Sequence, residues 1–330
     1  MSGAAFSIVM PAHDEADRIA PTIASIAGTR SLPGPLEVVI VDDASTDGCC
    51  ARLASDFPGL GLDDVSVRVI TMPTRVGVPN ARNVAARAST GSILFITDAH
   101  VRFTPGWDRI VLEHLDDDRI LAGTIVDPTS AFRGYGCDLI VPFMGTRWRR
   151  EHPRAIQPVQ VASSAATVLT RSLFDRIDGY DQGMLLYAAA EPEFSLRAWL
   201  TGAEIVSVPH LEVAHRFKTK PERDALLESA RPFMIHNSLR FGLIYLDEAR
   251  AFQMLRHFAM MFPMQVREAY RLLLESDVWD RRATLAERLR HTFDWFVERF
   301  DLRDQIGAEL ARMDPGSASA TESRSAATVA

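Results

Sequence analysis

A carboxylate and an imidazole stand one residue apart, directly after the apolar run "LFIT" (94–97). These residues are Asp98 and His100, and on a strand their side chains would point to the same side and grip one cation together. A carboxylate with an imidazole suits Mn²⁺ somewhat better than Mg²⁺, which prefers oxygen ligands. Such an ion would neutralise a diphosphate and make it a better leaving group. On this dipeptide alone, a turn capped by Asp98 and a solvated His100 are the simpler interpretation.

The elements that must position this pair are short apolar runs that alternate with amphipathic stretches. Strands are predicted at 6–11, 36–45, 65–73 and 92–100, with helices opening near Pro21, over 51–57 and over 78–90. Strands that are apolar almost throughout and alternate with helices predict an α/β fold. Its sheet is expected to be mostly parallel and covered by helices on both faces.

Polar side chains follow each of these four predicted strands. They are His13, Asp14 and Glu15 after the first, Asp42 and Asp43 after the second, Arg75 after the third, and Asp98 and His100 after the fourth. The carboxyl ends of parallel strands lie at one edge of a sheet, where the ligands of such sheets bind. We therefore expect the four clusters to meet at one binding site.

The second half of the chain changes character along its length. A strand, a short helix and a glycine turn are predicted over 161–182, then a helix closed by Gly202, then a strand pair interrupted at Pro209. Residues 221–312 are predicted to be helical, and 313–330 to be a disordered tail. We expect a catalytic domain over 1–220 and a helical extension over 221–312. Three roles are open for this extension: it could pack on the catalytic domain, form a homodimer or bind an acceptor.

The net charge, the cysteine spacing and the length of the apolar runs limit the classes of protein to which the chain could belong. The chain has 330 residues and a net charge of -7, which argues against a protein that binds nucleic acid by neutralising phosphates. Its cysteines, Cys49, Cys50 and Cys137, lack a zinc-type spacing and suit a reducing cytoplasm. The first residues do not resemble a secretory signal, and no apolar run approaches the ~18 residues of a membrane span. We expect a cytoplasmic protein without a membrane span.

Several stretches, in one order, carry a resemblance to a known family. They are "IVMPAHDEA", "EVVIVDDAS", "TRVGVPNARNVAARASTGSILFITDAHVRFTPGW" and "EPEFSLRAWLTGAEIVSVPHLEVAHRF", which together cover roughly residues 6–218. The chain resembles nucleotide-sugar glycosyltransferases of the GT-A type in glycosyltransferase family 2, in particular the polypeptide N-acetylgalactosaminyltransferases. The resemblance implies a GT-A fold and transfer of a sugar from a nucleotide diphosphate.

The resemblance also implies roles for individual residues. Asp98 and His100 match the family's metal motif, and His215 in "AHRF" matches its third metal ligand; a histidine at a strand end is the alternative. On the donor side, Pro11 lies where the first strand meets the nucleotide, Asp43 matches the acid that contacts uridine, and Arg75 matches a nucleotide-contacting arginine. Arg82, on the following helix, either approaches the diphosphate or is a solvated helical residue.

The acidic motif before the "FSLR" helix departs from the family pattern. Glu191 occupies the second position of the usual acidic pair, whereas Ala190 occupies the first, and the Trp-Gly-Gly that precedes the motif is missing. In inverting relatives the second acid deprotonates the acceptor hydroxyl, a role that Glu191 is predicted to fill. In retaining relatives this region holds the sugar instead. The sugar and the stereochemistry stay open, and helix N-terminal acids are the alternative for Glu191 and Glu193.

The function predicted from the sequence is metal-dependent transfer of a sugar from a nucleotide diphosphate donor, a UDP-sugar by preference, to a hydroxyl acceptor. Mn²⁺ or Mg²⁺ is the expected cofactor, and a peptide, a glycan or a small molecule the acceptor. One alternative is a nucleotidyltransferase-like enzyme, although "PAHDEADR" (11–18) lacks the usual glycine-rich basic loop. The other is a catalytically inactive scaffold that binds a nucleotide sugar.

Overall fold

The strands that support the site are runs of buried, mostly β-branched residues. The computed structural model describes residues 6–56, 64–141 and 143–302. Within these residues the strands are β1 Phe6–Ala12, β2 Leu36–Asp42, β3 Val65–Thr71, β4 Ile93–Ile96, β5 Val101–Phe103, β6 Arg119–Val126, β7 Arg133–Gly134, β8 Cys137–Ile140, β9 Gly145–Trp148, β10 Gln157–Pro158, β11 Thr167–Thr170 and β12 Glu204–His215. The predicted tail at 313–330 lies outside the described residues.

Helices separate the first four strands and dominate the end of the chain. They are α1 Ile19–Gly28, α2 Cys49–Asp56, α3 Val78–Ala88, α4 Trp107–His114, α5 Arg171–Arg176, α6 Ala190–Leu200, α7 Lys220–Tyr245, α8 Glu248–Met261, α9 Pro263–Leu274, α10 Val278–Ala286 and α11 Phe293–Arg299. Among the described residues, none of these helices combines the length and the apolar character that crossing a membrane requires.

The main sheet is mixed but mostly parallel, as the sequence predicted. It has 10 strands, eight of them in the order β10-β12-β6-β11-β4-β1-β2-β3, while β5 pairs with β12 and β7 with β6. The strands β3, β2, β1 and β4 are mutually parallel, and β11 runs antiparallel to both of its neighbours, β4 and β6. The parallel pair β6 and β12 therefore points the same way as β1. The carboxyl ends of β1, β2, β4 and β12 consequently lie at one edge.

Successive residues of the central strands alternate between two apolar layers, because side chains of a strand point to opposite faces in turn. Ile8 and Met10 of β1 pack with α1 and α4 on one face. Val9 packs on the other face, in a core that also holds Phe194 of α6 and residues of α7 to α11, such as Phe241. The C-terminal helices thus share a continuous core with the sheet.

The second and third predicted strands end earlier than expected, at Asp42 and Thr71, and two other predicted strands differ more. The fourth was expected to continue to residue 100, but β4 ends at Ile96, and residues 97–100 form a bend before β5. The strand pair expected around Pro209 is instead one strand, β12, whose register with β6 shifts between Val208 and Glu212. A proline cannot donate to a sheet ladder, and a bulge absorbs it without ending the strand.

Candidate functional site

Three potential metal ligands meet at the carboxyl edge of the sheet. Asp98 and His100 lie in the bend between β4 and β5, and His215 is the last residue of β12. Antiparallel pairing of His215 with Val101 brings the end of β12 beside that bend. One ligand atom of each residue lies within 4.8 Å of the others. We call Asp98, His100 and His215 the metal triad. The bend, rather than the regular alternation of a strand, brings the first two together.

Glu15, in the loop after β1, orients one of the imidazoles. Nδ1 of His100 lies 2.9 Å from Oε2 of Glu15, and both side chains are mostly buried. An ionised carboxylate only accepts hydrogen bonds, so Nδ1 of His100 donates and carries the proton. In the neutral ring Nε2 is then left with its lone pair, as a metal ligand requires. Carboxylate partners of this kind commonly fix the tautomer of metal-binding histidines.

The other two members of the triad also fit a divalent cation. Nε2 of His215 lies 3.3 Å from Oδ2 of Asp98, while Nδ1 is buried and has no hydrogen-bond partner among the described residues. Buried polar atoms are normally paired, so the unpaired Nδ1 of His215, on a ring whose Nε2 lies beside a carboxylate, fits a cation-binding site. Burial by itself would raise the pKa of Asp98, but the hydrogen bond with His215 and the charge of Arg82 outweigh it and hold that pKa well below its usual range. Asp98 is therefore ionised.

Arg82 of α3 joins the metal triad to the acidic motif. Its guanidinium is buried, with Nη2 donating to Oδ1 of Asp98 at 3.0 Å and Nη1 donating to the Glu191 carboxylate. The ring of Tyr180 lies beneath it, 5.4 Å from Cζ. The alternative of a solvated helical arginine is therefore wrong. The diphosphate contact stays a prediction, because carboxylates engage both terminal nitrogens in this structure.

Glu191 lies in the first turn of α6, at the end of an unusual loop. Its side chain is 24% exposed, which leaves the carboxylate accessible from the site. The residues before it, 185–189, form what we call the Glu191 loop. Within it Leu186, Ala188 and Ala189 have φ values of 46°, 73° and 60°. The left-handed region costs a residue with a Cβ about 1–2 kcal/mol, so other contacts must hold this loop.

Glu193, in the same first turn of α6, has a different environment. Its side chain is fully buried, and Arg197 donates to both of its carboxylate oxygens at 2.8 Å. The hydroxyl of Tyr245, at the end of α7, donates to it at 2.7 Å. All of these partners belong to the protein, so Glu193 anchors α6 to α7 and only Glu191 of the acidic motif faces the site.

The expected donor-binding residues lie at the same edge. Pro11 is buried in β1 opposite Val41 of β2. Asp43 follows β2, and its carboxylate accepts the backbone N–H groups of Val76 at 2.6 Å and Gly77 at 3.0 Å.

Arg75, the residue expected to contact the nucleoside, is more exposed to solvent than Pro11 and Asp43. The Arg75 side chain is 42% exposed, and its Nε lies 3.9 Å from Oδ2 of Asp43. Asp43 thus ties the end of β2 to the loop that precedes α3, while Arg75 is open to a ligand.

Sequence reasoning missed two features of this site. Glu15 was expected only to lie near the other polar residues at this edge, and no sequence pattern indicated its hydrogen bond to His100. Asn237, within α7, bonds to the backbone of the Glu191 loop. It is an ordinary polar residue in a helical pattern, so nothing in the sequence marks it.

Comparisons with known proteins agree on one family. Residues 7–177 match the family model described as "Glycosyl transferase family 2". The chain is 28% identical over 266 residues to polypeptide N-acetylgalactosaminyltransferase 8 of Drosophila melanogaster, covering 73% of this chain and 44% of that protein. It is 27% identical over 330 residues to human polypeptide N-acetylgalactosaminyltransferase 13, covering 91% and 55%. The chain thus spans about half the length of these relatives.

Solved structures resemble the fold as well. A crystal structure of GalNAc-T7 with UDP, GalNAc and Mn²⁺ superposes with a TM-score of 0.69 at 17% identity, covering 94% of this chain and 58% of that one. The mannosyltransferase PcManGT from Pyrobaculum calidifontis, in complex with GDP-Man and Mn²⁺, gives a TM-score of 0.53 at 17% identity, covering 94% and 86%. At this level of identity the likeness concerns the fold.

Proposed function

This chain belongs to glycosyl transferase family 2 and has the GT-A fold of its glycosyltransferases, and on that premise we propose that it transfers a sugar from a UDP-sugar to a hydroxyl acceptor with the help of a divalent cation. The observation that carries the proposal is the convergence of Asp98, His100 and His215 at the carboxyl edge of the sheet. The orientation of His100 by Glu15 supports it, because that bond presents a lone pair to a metal.

The metal triad would hold the cation. One carboxylate with two imidazoles favours Mn²⁺ over Mg²⁺, which prefers an all-oxygen environment. When bound, the cation supplies positive charge that stabilises the departing diphosphate. Arg82 keeps Asp98 ionised and placed, since its guanidinium cannot lose its proton and donates directly to that carboxylate.

The nucleoside end of the donor is assigned to the loops after β1, β2 and β3. Arg75 is the accessible cation there, and its side chain is free to turn toward a nucleotide. Asp43 holds the loop that carries Arg75 through the N–H groups of Val76 and Gly77, and its carboxylate retains lone pairs for a ligand donor. Pro11, which is buried in β1, would line the same part of the nucleotide site. The similar structure of GalNAc-T7 contains UDP, which favours a uridine donor, whereas that of PcManGT contains GDP-Man.

Glu191 is assigned to the acceptor side. In an inverting reaction the acceptor oxygen forms a bond with the anomeric carbon, the bond from that carbon to the diphosphate oxygen breaks, and Glu191 takes the hydroxyl proton. In a retaining reaction Glu191 instead holds the sugar. Both roles need the carboxylate near the donor, where the contact with Arg82 holds it.

The acceptor is proposed to be a hydroxyl group of a peptide. The chain is similar to polypeptide N-acetylgalactosaminyltransferases, and this likeness favours a peptide over a glycan or a small molecule.

Thermal unfolding with UDP, in the presence and absence of Mn²⁺, tests the proposal. A ligand at 100 times its dissociation constant stabilises the folded state by about 2.7 kcal/mol, so Mn²⁺ and UDP together should raise the melting temperature clearly more than either alone. Incubation with UDP-sugars should then release UDP only when the metal is present. An unchanged melting temperature with every nucleotide, with or without metal, would reject a nucleotide-sugar enzyme.

A further inference from the structure

A buried carboxamide of the C-terminal helices reaches into the Glu191 loop. Asn237, in the middle of α7, has no exposed surface. Its Oδ1 accepts the N–H of Leu185 at 2.8 Å, and its Nδ2 lies 2.7, 3.0 and 2.9 Å from the carbonyl oxygens of Leu185, Tyr187 and Ala188. One side chain therefore bonds the backbone along most of the loop.

The orientation of this carboxamide is fixed by its partners. A backbone N–H only donates, so the Asn237 atom that faces Leu185 N must be the oxygen. His236 Nδ1 lies 3.0 Å from the same oxygen and must be its second donor. Burial, together with the nearby charge of Arg240, lowers the pKa of His236, which agrees with a neutral ring that has a single N–H. Neither group can turn without losing a buried hydrogen bond.

The other side of the loop rests on α3. Val78 donates to the carbonyl of Leu186 at 2.9 Å, and Asn80 donates to that of Met184, the residue before the loop, at 3.1 Å. Gly77 allows this approach, because a Cβ there would lie 2.6 Å from Leu186 Cα. The helices α3 and α7 thus hold the Glu191 loop between them.

The backbone conformation of the Glu191 loop is unfavourable for the residues that form it. The loop adopts the left-handed region at Leu186, Ala188 and Ala189 without a glycine. Ala189 is the N-cap of α6, so its conformation sets the direction in which the first turn leaves and the place of Glu191. Strained backbone of this kind persists only where the surroundings over-determine it.

We propose that Asn237 is a positioning residue for sugar transfer, which keeps the Glu191 carboxylate in its productive place by bonding the backbone of residues 185–188. The consequence for catalysis rests on the proposed function, whereas the effect on the loop does not. In this account the C-terminal helices form part of the catalytic unit, although no side chain of α7 needs to contact the substrate.

Replacing Asn237 by alanine tests the proposal, with Leu239→Ala as the matched control. Leu239 is equally buried on the same helix and packs in the core, without a hydrogen bond to the loop. Both variants should lose stability. Only Asn237→Ala should speed hydrogen exchange of the amides of residues 185–189, by about tenfold or more, while exchange in β4 stays unchanged.

Steady-state kinetics with a UDP-sugar then separates positioning from folding. For Asn237→Ala we expect kcat to fall about tenfold or more, because a small displacement of a reacting group is costly, with little change in the affinity for UDP and Mn²⁺. Leu239→Ala should keep the kcat of the folded fraction. Asn237→Ala with Ala188→Gly and Ala189→Gly should regain part of the lost turnover, because glycine adopts the left-handed region without strain.

The outcomes distinguish this inference from the proposed function. Unchanged exchange in residues 185–189 of Asn237→Ala would overturn the inference whatever the enzyme does. Equal losses of kcat in Asn237→Ala and Leu239→Ala would overturn it too. If the wild-type chain failed to bind UDP with Mn²⁺, the proposed function would fall, while the exchange measurement would still decide whether Asn237 holds the loop.

Discussion

The metal triad and the Glu191 loop lie on either side of Arg82, and they are held in place by different means. Asp98, His100 and His215 stand at or just after the ends of strands, so sheet pairing over β4, β5 and β12 places them. Glu191 instead follows a strained loop whose position depends on hydrogen bonds from α3 and from Asn237 of α7. One side of the site is set by strand pairing and by the short bend between β4 and β5, and the other by individual buried side-chain contacts.

This difference suggests how each side responds to change. Damage to the metal triad should abolish binding of the metal and the diphosphate together, because the three proposed ligands would share one cation. Damage near Glu191 should affect turnover more than binding, because the loop contributes nothing to the cation site except through Arg82.

Replacing Asp98 by alanine or asparagine should abolish both sugar transfer and the metal-dependent binding of UDP. The ion-paired carboxylate is both a proposed ligand and the partner of Arg82 and His215. Transfer should fall by about 10³-fold or more, and Mn²⁺-dependent binding of UDP should disappear. Calorimetric titration with UDP and Mn²⁺ measures the second effect directly.

Asp108→Ala is the matched control for that experiment. Asp108 is also buried, but its carboxylate accepts the N–H groups of Ser31 and Leu32 and has no role at the site. It should cost stability and keep metal-dependent binding. Wild-type turnover in the Asp98 variants would remove the metal triad from the mechanism.

Glu191→Gln tests the other side of the comparison. The amide keeps the shape of the side chain but cannot take a proton, so kcat should fall by about 10²–10⁴-fold with the affinity for UDP nearly unchanged. Glu193→Gln, in the same turn of α6, should instead lower the melting temperature, because Arg197 and Tyr245 lose a buried charged partner. If Glu191→Gln reduced donor binding and turnover equally, Glu191 would hold the sugar rather than accept a proton.

Glu15→Ala should weaken the metal triad without removing a ligand. His100 would lose the partner that fixes its tautomer and ring orientation, and the apparent dissociation constant for Mn²⁺ should rise by about 10–100-fold. A titration with Mn²⁺ at saturating UDP measures it. Glu37→Ala is the control, since Glu37 bonds to Ser7 and Thr90 at the opposite end of β1. Equal effects of both substitutions would contradict the role of Glu15.

Ala189→Gly should produce the smallest change, and it should be a gain. Glycine removes the cost of the left-handed N-cap of α6 at some loss of chain entropy, so the free energy of unfolding should rise by about 0.5–1 kcal/mol. Ala198→Gly, inside the same helix, should lower it by about 1 kcal/mol. Thermal unfolding compares the two. A similar loss in both would show that the loop is not strained at Ala189.

The sequence predicted which strand ends meet at the site, because periodicity reveals strands and the carboxyl ends of parallel strands share an edge. The convergence of Asp98 and His100 followed from that reasoning, although its stated geometry was wrong: β4 ends at Ile96, and a bend brings the two residues together. The mostly parallel sheet and the helical character of the last part were also predicted. These are properties of hydrophobic patterns that are local in the chain.

The Glu191 side could not be predicted in the same way. Asn237 is 52 residues from Leu185 along the chain, and the contact depends on how α7 packs, which no local pattern encodes. The burial of Arg82 between Asp98 and Glu191 was missed for the same reason, since a single arginine in an amphipathic helix looks solvated. Positive φ values at alanines are likewise invisible, because the sequence offers no glycine to indicate them.

Anomalous diffraction at the manganese edge, from crystals grown with UDP and Mn²⁺, tests the central claim most directly. We expect a single strong anomalous peak in contact with Asp98, His100 and His215, with the diphosphate of UDP beside it. A structure with UDP bound at this edge of the sheet, but with no anomalous peak among these side chains, would contradict it.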